Sequence, residues 1–118
     1  MRTAADYVEC LRTMKPNVRM GGETVRRDDP RIMPGVNVMR ITYDAAADPE
    51  LKDLFTTTCP ETGKPISRFC ALCRSTDDLL KKQQMIRAGA RLSGFCIQRC
   101  MGTDTVNALS VTTKDIDD

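Results

Sequence analysis

Cys96 and Cys100 stand four residues apart in the stretch Ser93-Gly94-Phe95-Cys96-Ile97-Gln98-Arg99-Cys100. On a helix, residues at i and i+4 share a face, with Cβ atoms about 5–6 Å apart. A disulfide wants roughly 3.5–4.5 Å. The spacing therefore suits two thiolates that share a metal or cluster better than two sulfurs bonded to each other. The plain alternative is two ordinary buried cysteines. Two thiolates cannot complete a metal site, so further ligands must come from elsewhere in the chain, from a partner or from polypeptide outside it.

Cys70-Ala71-Leu72-Cys73 offers a second pair. Taken with Cys96 and Cys100 it makes a set that could hold zinc tetrahedrally. Zinc ribbons, however, place both pairs on turns, and here one pair falls inside a helical pattern. A thioredoxin-like use would need a βαβ context that the pattern lacks. Cys10 and Cys59 read as a core residue and a loop residue. The chain has no histidine, which excludes a Cys/His zinc site, a Cys-His pair and a Ser-His-Asp triad. No Walker or Rossmann spacing occurs, and Gly89 and Gly94 read as close-packing positions within a helix.

The element that must carry these side chains is predicted as one long helix. It starts near Ser75-Thr76-Asp77-Asp78, whose hydroxyl and carboxylate groups suit a helix N-terminus, and runs to about Met101, with Gly102 as the C′ residue. On a straight helix Cys96 and Cys100 point one way. Arg87 and Gln98 share a stripe roughly 160° away, with Arg91 near it. Such a helix would sit between a metal centre and a polar or anionic ligand, although arginines also commonly snorkel. From Met85 to Met101 apolar or small residues occur all round it. That pattern implies burial on most sides, so part of the surface is meant for other domains or subunits.

Elsewhere the signals are local. Thr3 with Asp6 reads as a near capping box before a short amphipathic helix that carries Tyr7, Val8, Leu11 and Met14 and closes by Pro16. Residues 17–25, loosened around Gly21-Gly22, fit a small hairpin or an irregular loop equally well. Pro34-Gly35 interrupts the chain, and a helix follows over 36–47. Asp48 is expected as the N-cap and Pro49 as the first residue of another helix, with Leu51, Leu54 and Phe55 inward. Residues 56–64 read as a loop. Asp104 is expected to cap a last segment holding Val106, Leu109 and Val111.

With 118 residues, 41% hydrophobic and only 4% aromatic content, the chain fits one domain with an aliphatic, helix-favouring core. A net charge of +2, with basic residues scattered among acidic ones, gives no reason to expect nucleic acid. No run is apolar enough to span a membrane, and the N-terminus lacks a signal-peptide core. Six cysteines without such a signal point to reduced thiols and a cytoplasmic setting.

Several stretches then resemble a known family. They are Thr3-Ala4 with Tyr7 and Leu11; Ile41-Thr42-Tyr43-Asp44; Asp48-Pro49 with Leu54; Ser75-Thr76-Asp77-Asp78-Leu79; Phe95-Cys96 with Gln98-Arg99-Cys100; and Asn107-Ala108. Over nearly its whole length the chain resembles the 4-hydroxyphenylacetate 3-hydroxylase family. Within that family it resembles the N-terminal part of the 4-hydroxybutyryl-CoA dehydratase branch, whose members are also vinylacetyl-CoA Δ-isomerases. The family's flavin monooxygenases share the early and middle features but not the paired cysteines.

The resemblance implies a mostly α fold: the helical N-terminal domain of an acyl-CoA-dehydrogenase-like flavoenzyme, formed by residues 1–118. The middle β and C-terminal helical domains of the family would lie outside this chain. It further implies a [4Fe-4S] cluster held by three cysteines and one histidine beside an FAD. Cys96 and Cys100 match the first two cysteines, while the third and the histidine belong to a later segment that the chain lacks. Gln98 and Arg87 match positions near the active site. The implied reaction converts 4-hydroxybutyryl-CoA to crotonyl-CoA by a radical route through the flavin, with cluster iron as Lewis acid.

The chain alone is expected to be inactive and to hold neither cofactor. It would need the missing domains or a companion chain, and would assemble as a homo-oligomer, tetrameric in the family. Two alternatives are a flavin-dependent 4-hydroxyphenylacetate 3-monooxygenase-type enzyme and a small zinc-binding interaction module using Cys70, Cys73, Cys96 and Cys100.

Overall fold

A computed structural model describes residues 1–94 and 97–117, with all of their side chains except those of residues 97, 98 and 115–117. In chain order the elements are α1 (Ala4–Thr13), β1 (Val18–Met20), β2 (Glu23–Val25), α2 (Met33–Ala47), α3 (Lys52–Phe55), β3 (Thr56–Thr58), β4 (Pro65–Ser67), a 3-10 turn (Arg68–Cys70), α4 (Thr76–Ser93) and α5 (Ile97–Asp117). The fold is mostly helical, as the sequence implies, with two small antiparallel strand pairs.

Local chemistry accounts for the helix starts. The Asp6 amide donates to the Thr3 hydroxyl at 3.1 Å, and the Thr3 amide donates to the Asp6 carboxylate at 2.9 Å, so the capping box is closed. The Thr3 amide, and after it the Thr3 hydroxyl, hold the Asp6 carboxyl below its ordinary titration range. Ser75 caps α4 in the same way, accepting from the Asp78 amide. The chain over 17–25 is a hairpin: Gly21 and Gly22 take φ of +58° and +86°, and Val18 pairs with Val25. Two successive positive φ values are what a tight primed turn demands, and glycine supplies them without steric cost.

Four expectations need correction. The helix expected over 36–47 starts at Met33, because Pro34 falls in its first turn, where a missing N–H costs nothing. Asp48 closes α2, and its carboxylate accepts from the Glu50 and Leu51 amides; the next helix therefore begins only at Lys52 and lasts four residues. Residues 56–64 are not simply a loop, since Thr56–Thr58 pairs antiparallel with Pro65–Ser67.

The fourth correction is the largest. The single helix over 75–101 is two helices. Gly94 adopts φ +67° and donates its amide to the Ala90 carbonyl, a left-handed cap that ends α4 at Ser93. Gly102 and Asp104 then lie inside α5 rather than ending one helix and starting another.

The core gathers Ala45 and Ala46 of α2, Phe55 of α3, Phe69 of the 3-10 turn, Met85 of α4 and Cys100 of α5. The Phe55 and Phe69 rings meet at 6.2 Å. Arg68 is buried and donates to the carbonyl oxygens of Leu54, Asp53 and Thr56, which ties the 3-10 turn to the end of α3. From α5, the buried Thr103 hydroxyl donates to the Phe69 carbonyl, and Asn107 accepts from the Cys73 amide. Leu79, Leu80, Leu92, Met101, Val106, Leu109 and Val111 of α4 and α5 stay exposed.

Candidate functional site

Splitting the long helix changes the geometry of the site. Arg87 lies on α4 and is exposed, whereas Gln98 belongs to the first turn of α5, so the two do not share one stripe of one straight helix. The Gln98 side chain and Cys96 lie outside the described residues. Cys100 is described: it is 9% exposed and sits in the core cluster beside Phe69 and Met85. It also borders a small cavity shared with Thr42, Ser93 and Arg99.

Cys70 is exposed and Cys73 half-buried on the turn after the 3-10 element. Together with Cys59 they border a separate cleft of about 290 Å³, which also carries Glu61, Arg74 and Asp78. No three Cys, Asp or Glu side chains among the described residues are gathered so as to hold a metal ion. Cys70, Cys73 and Cys100 are all described, so the zinc arrangement finds no geometry among them. Cys10, on α1, is half-buried and reads as packing.

The carboxylates with displaced titration are all pushed downward. Asp78 is lowered chiefly by the Ser75 hydroxyl, Glu61 by the Cys59 thiol, and Asp28 by the Arg26 guanidinium. Each is committed to a structural hydrogen bond as an anion.

Arg99 had no role in the sequence reading beyond its place in the Gln98-Arg99-Cys100 element. Its guanidinium carbon stands 4.9 Å from the centre of the Phe69 ring and 5.4 Å from that of Tyr43, and Tyr43 in turn stacks on Tyr7 at 5.2 Å. One cation thus joins α1, α2, α5 and the 3-10 turn through three rings. The signal available in sequence was only a polar residue inside an apolar helix.

Residues 3–118 match the family model described as 4-hydroxyphenylacetate 3-hydroxylase N terminal. The chain belongs to this family. Among curated members of the 4-hydroxyphenylacetate 3-hydroxylase family, it is 43% identical to the 4-hydroxybutyryl-CoA dehydratase/vinylacetyl-CoA-Δ-isomerase of Clostridium aminobutyricum. That alignment covers 99% of the chain and 24% of the relative. It is 31% identical to the oxygenase component of 4-hydroxyphenylacetate 3-monooxygenase from Thermus thermophilus, over 75% of the chain and 18% of that relative.

Solved structures of the family follow the same order. An oxygen-tolerant archaeal 4-hydroxybutyryl-CoA dehydratase from N. maritimus superposes with a TM-score of 0.89 at 36% identity, covering 98% of this chain and 23% of that one. HpaB, the oxygenase component of 4-hydroxyphenylacetate 3-monooxygenase, superposes with a TM-score of 0.67 at 28% identity, covering 76% of this chain and 19% of that one. The chain thus spans about a quarter of the length of the dehydratases it matches. No described helix is long and apolar enough to cross a membrane.

Proposed function

We propose that this chain is the N-terminal portion of an FAD- and [4Fe-4S]-dependent dehydratase/isomerase that converts 4-hydroxybutyryl-CoA to crotonyl-CoA. The observation that carries this reading is the contrast in likeness. Against the dehydratases the match runs over 98–99% of the chain, and against the monooxygenase component it stops at 75–76%.

The donor chemistry fits a half site. Cys96 and Cys100 offer soft thiolate sulfur of the kind that ligates iron–sulfur clusters. The chain has no histidine, and no third donor is grouped with Cys100 among the described residues. The remaining ligands would come from polypeptide corresponding to the other three quarters of the relatives. When bound, the cluster supplies a Lewis-acid iron for the departing hydroxyl.

The chain's own residues hold and orient. The packing of Cys100 against Phe69 and Met85 fixes one ligand and keeps water from it. Gln98 and Arg87 offer an amide and a guanidinium to the substrate or flavin side. The catalytic base, the flavin pocket and most CoA contacts belong to the complementary polypeptide, so the chain alone is inactive. The exposed apolar residues of α4 and α5 suit burial in such an assembly, which we read as a homo-oligomer in the cytoplasm.

The test is anaerobic iron and sulfide reconstitution of the chain together with its complementary polypeptide. The expected product is a brown protein with four irons per site that dehydrates 4-hydroxybutyryl-CoA. Cys96→Ser and Cys100→Ser should each lose iron and activity while leaving the flavin bound. A colourless, iron-free flavoprotein that hydroxylates 4-hydroxyphenylacetate would instead identify the monooxygenase branch.

A further inference from the structure

Arg99 poses a problem that its rings do not solve. A guanidinium carries five N–H donors and no acceptor. Among the described residues no hydrogen bond or ion pair engages it, and its Nε is buried without a partner. Stacking on Phe69 and Tyr43 attracts the cation through the ring faces but satisfies no N–H. The Nη groups are not among the buried unpartnered atoms, so they are the donors that a ligand could reach.

Beside Arg99 lies a cleft of about 380 Å³, lined by Met39, Phe69, Cys70, Gly102, Thr103 and Val106. Its volume falls in the range of small-ligand sites, which are mostly apolar with a few fixed polar groups. The Thr103 hydroxyl is already committed to the Phe69 carbonyl. Arg99 is therefore the one cation on an otherwise mainly apolar wall.

Gly102 adds an independent sign. It sits inside α5, where glycine is less favourable than alanine. No described residue demands it, because a Cβ there would meet no described atom within 4 Å. A bare backbone facing a cleft is what a closely approaching ligand requires. We propose that this cleft binds a monocarboxylate carried on an apolar stem. The carboxylate would meet the Nη edge of the Arg99 guanidinium, and the stem would run past Gly102 onto Met39 and Val106. One guanidinium matches one carboxylate in bidentate geometry and leaves a phosphate dianion half-compensated. The assignment does not depend on any role for the cysteines.

The experiment titrates the isotope-labelled 118-residue chain with hexanoate, hexanol, acetate and inorganic phosphate, reading the Arg99 Nη–H signals and the amides of Gly102, Thr103 and Val106. Hexanoate should shift these signals saturably, acetate more weakly and hexanol not at all. Arg99→Gln should weaken hexanoate binding about tenfold or more. Gly102→Leu keeps the charge and fills the cleft, so it should abolish binding even if Arg99→Gln fails to fold. Equal shifts with hexanol, tighter binding of phosphate, no response to hexanoate, or an unchanged affinity in Gly102→Leu would each overturn the proposal.

Discussion

The Arg68 guanidinium donates from Nε to the Leu54 carbonyl oxygen at 2.8 Å, fourteen positions back along the chain. Two further bonds from Nη2, to Asp53 at 3.0 Å and Thr56 at 2.7 Å, complete a three-carbonyl clamp over the end of α3. A four-residue helix has no ladder of its own to speak of, so its free carbonyls depend on this side chain. Arg68→Met keeps the volume but strands three acceptors. We expect it to lower unfolding free energy by about 2–4 kcal/mol, read from the urea midpoint. Arg68→Lys, which reaches with one point charge instead of a planar fork, should fall between Met and wild type.

Gly89 and Gly94 lie five residues apart in what reads as one helical pattern, yet the same substitution should have opposite signs at the two. At Gly89 a Cβ would make ordinary contact with the Phe55 ring at 3.8 Å, and the backbone is helical. Gly89→Ala should therefore raise stability by about 0.5–1 kcal/mol. At Gly94, φ is +67°, where alanine is strained, so Gly94→Ala should cost about 1–2 kcal/mol. Thermal melts of the two variants check this. A stabilising Gly94→Ala would mean that α4 runs on into α5.

That pair also shows what could be read in advance. Capping by Thr3 and Ser75 was legible because each depends on residues within three or four positions, whereas around Gly21-Gly22 a hairpin and an irregular loop fitted equally well. The break at Gly94 was not legible, since an interior glycine and a left-handed cap look alike until the flanking helices find their partners. The β3–β4 hairpin was hidden because Thr56-Thr57-Thr58 shows no apolar alternation and its partner opens with Pro65. At the site, Cys96 and Cys100 were visible as a spacing. Arg99 was not, because its meaning comes from Tyr43 and Phe69, which reach it only through tertiary packing.

Asp29 titrates at about 2 instead of 3.8, because the Arg31 side chain and then the Arg31 amide donate to its carboxylate. A depressed folded-state value means that the stabilisation is present above the ordinary carboxylate range. It is lost as pH falls from about 4 towards about 2. Asp28 and Asp78 shift in the same direction and add to the trend. Asp29→Asn should flatten the acid limb of a plot of urea midpoint against pH and leave the neutral limb parallel to wild type. Equal acid slopes for the two proteins would show that the Arg31 contact does not persist in solution.

Lys82 and Asp104 form an ion pair between α4 and α5, with the lysine side chain 10% exposed and the aspartate 70% exposed. The sequence placed Asp104 at a helix start, and the two roles make different demands. A cap needs only a short side-chain oxygen, so Asp104→Ser would be tolerated there. An ion-pair partner needs the charge, so Ser should behave like Ala and leave a largely buried ammonium without its anion. We expect Asp104→Ala and Asp104→Ser each to cost about 1 kcal/mol, the exposed aspartate keeping the loss small. The double variant with Lys82→Met should recover most of that loss, since removing both charges removes the desolvation penalty with the attraction. Denaturation of wild type, Asp104→Ala, Lys82→Met and the double variant closes the cycle, and a tolerated Asp104→Ser, measured beside them, would return Asp104 to a capping role.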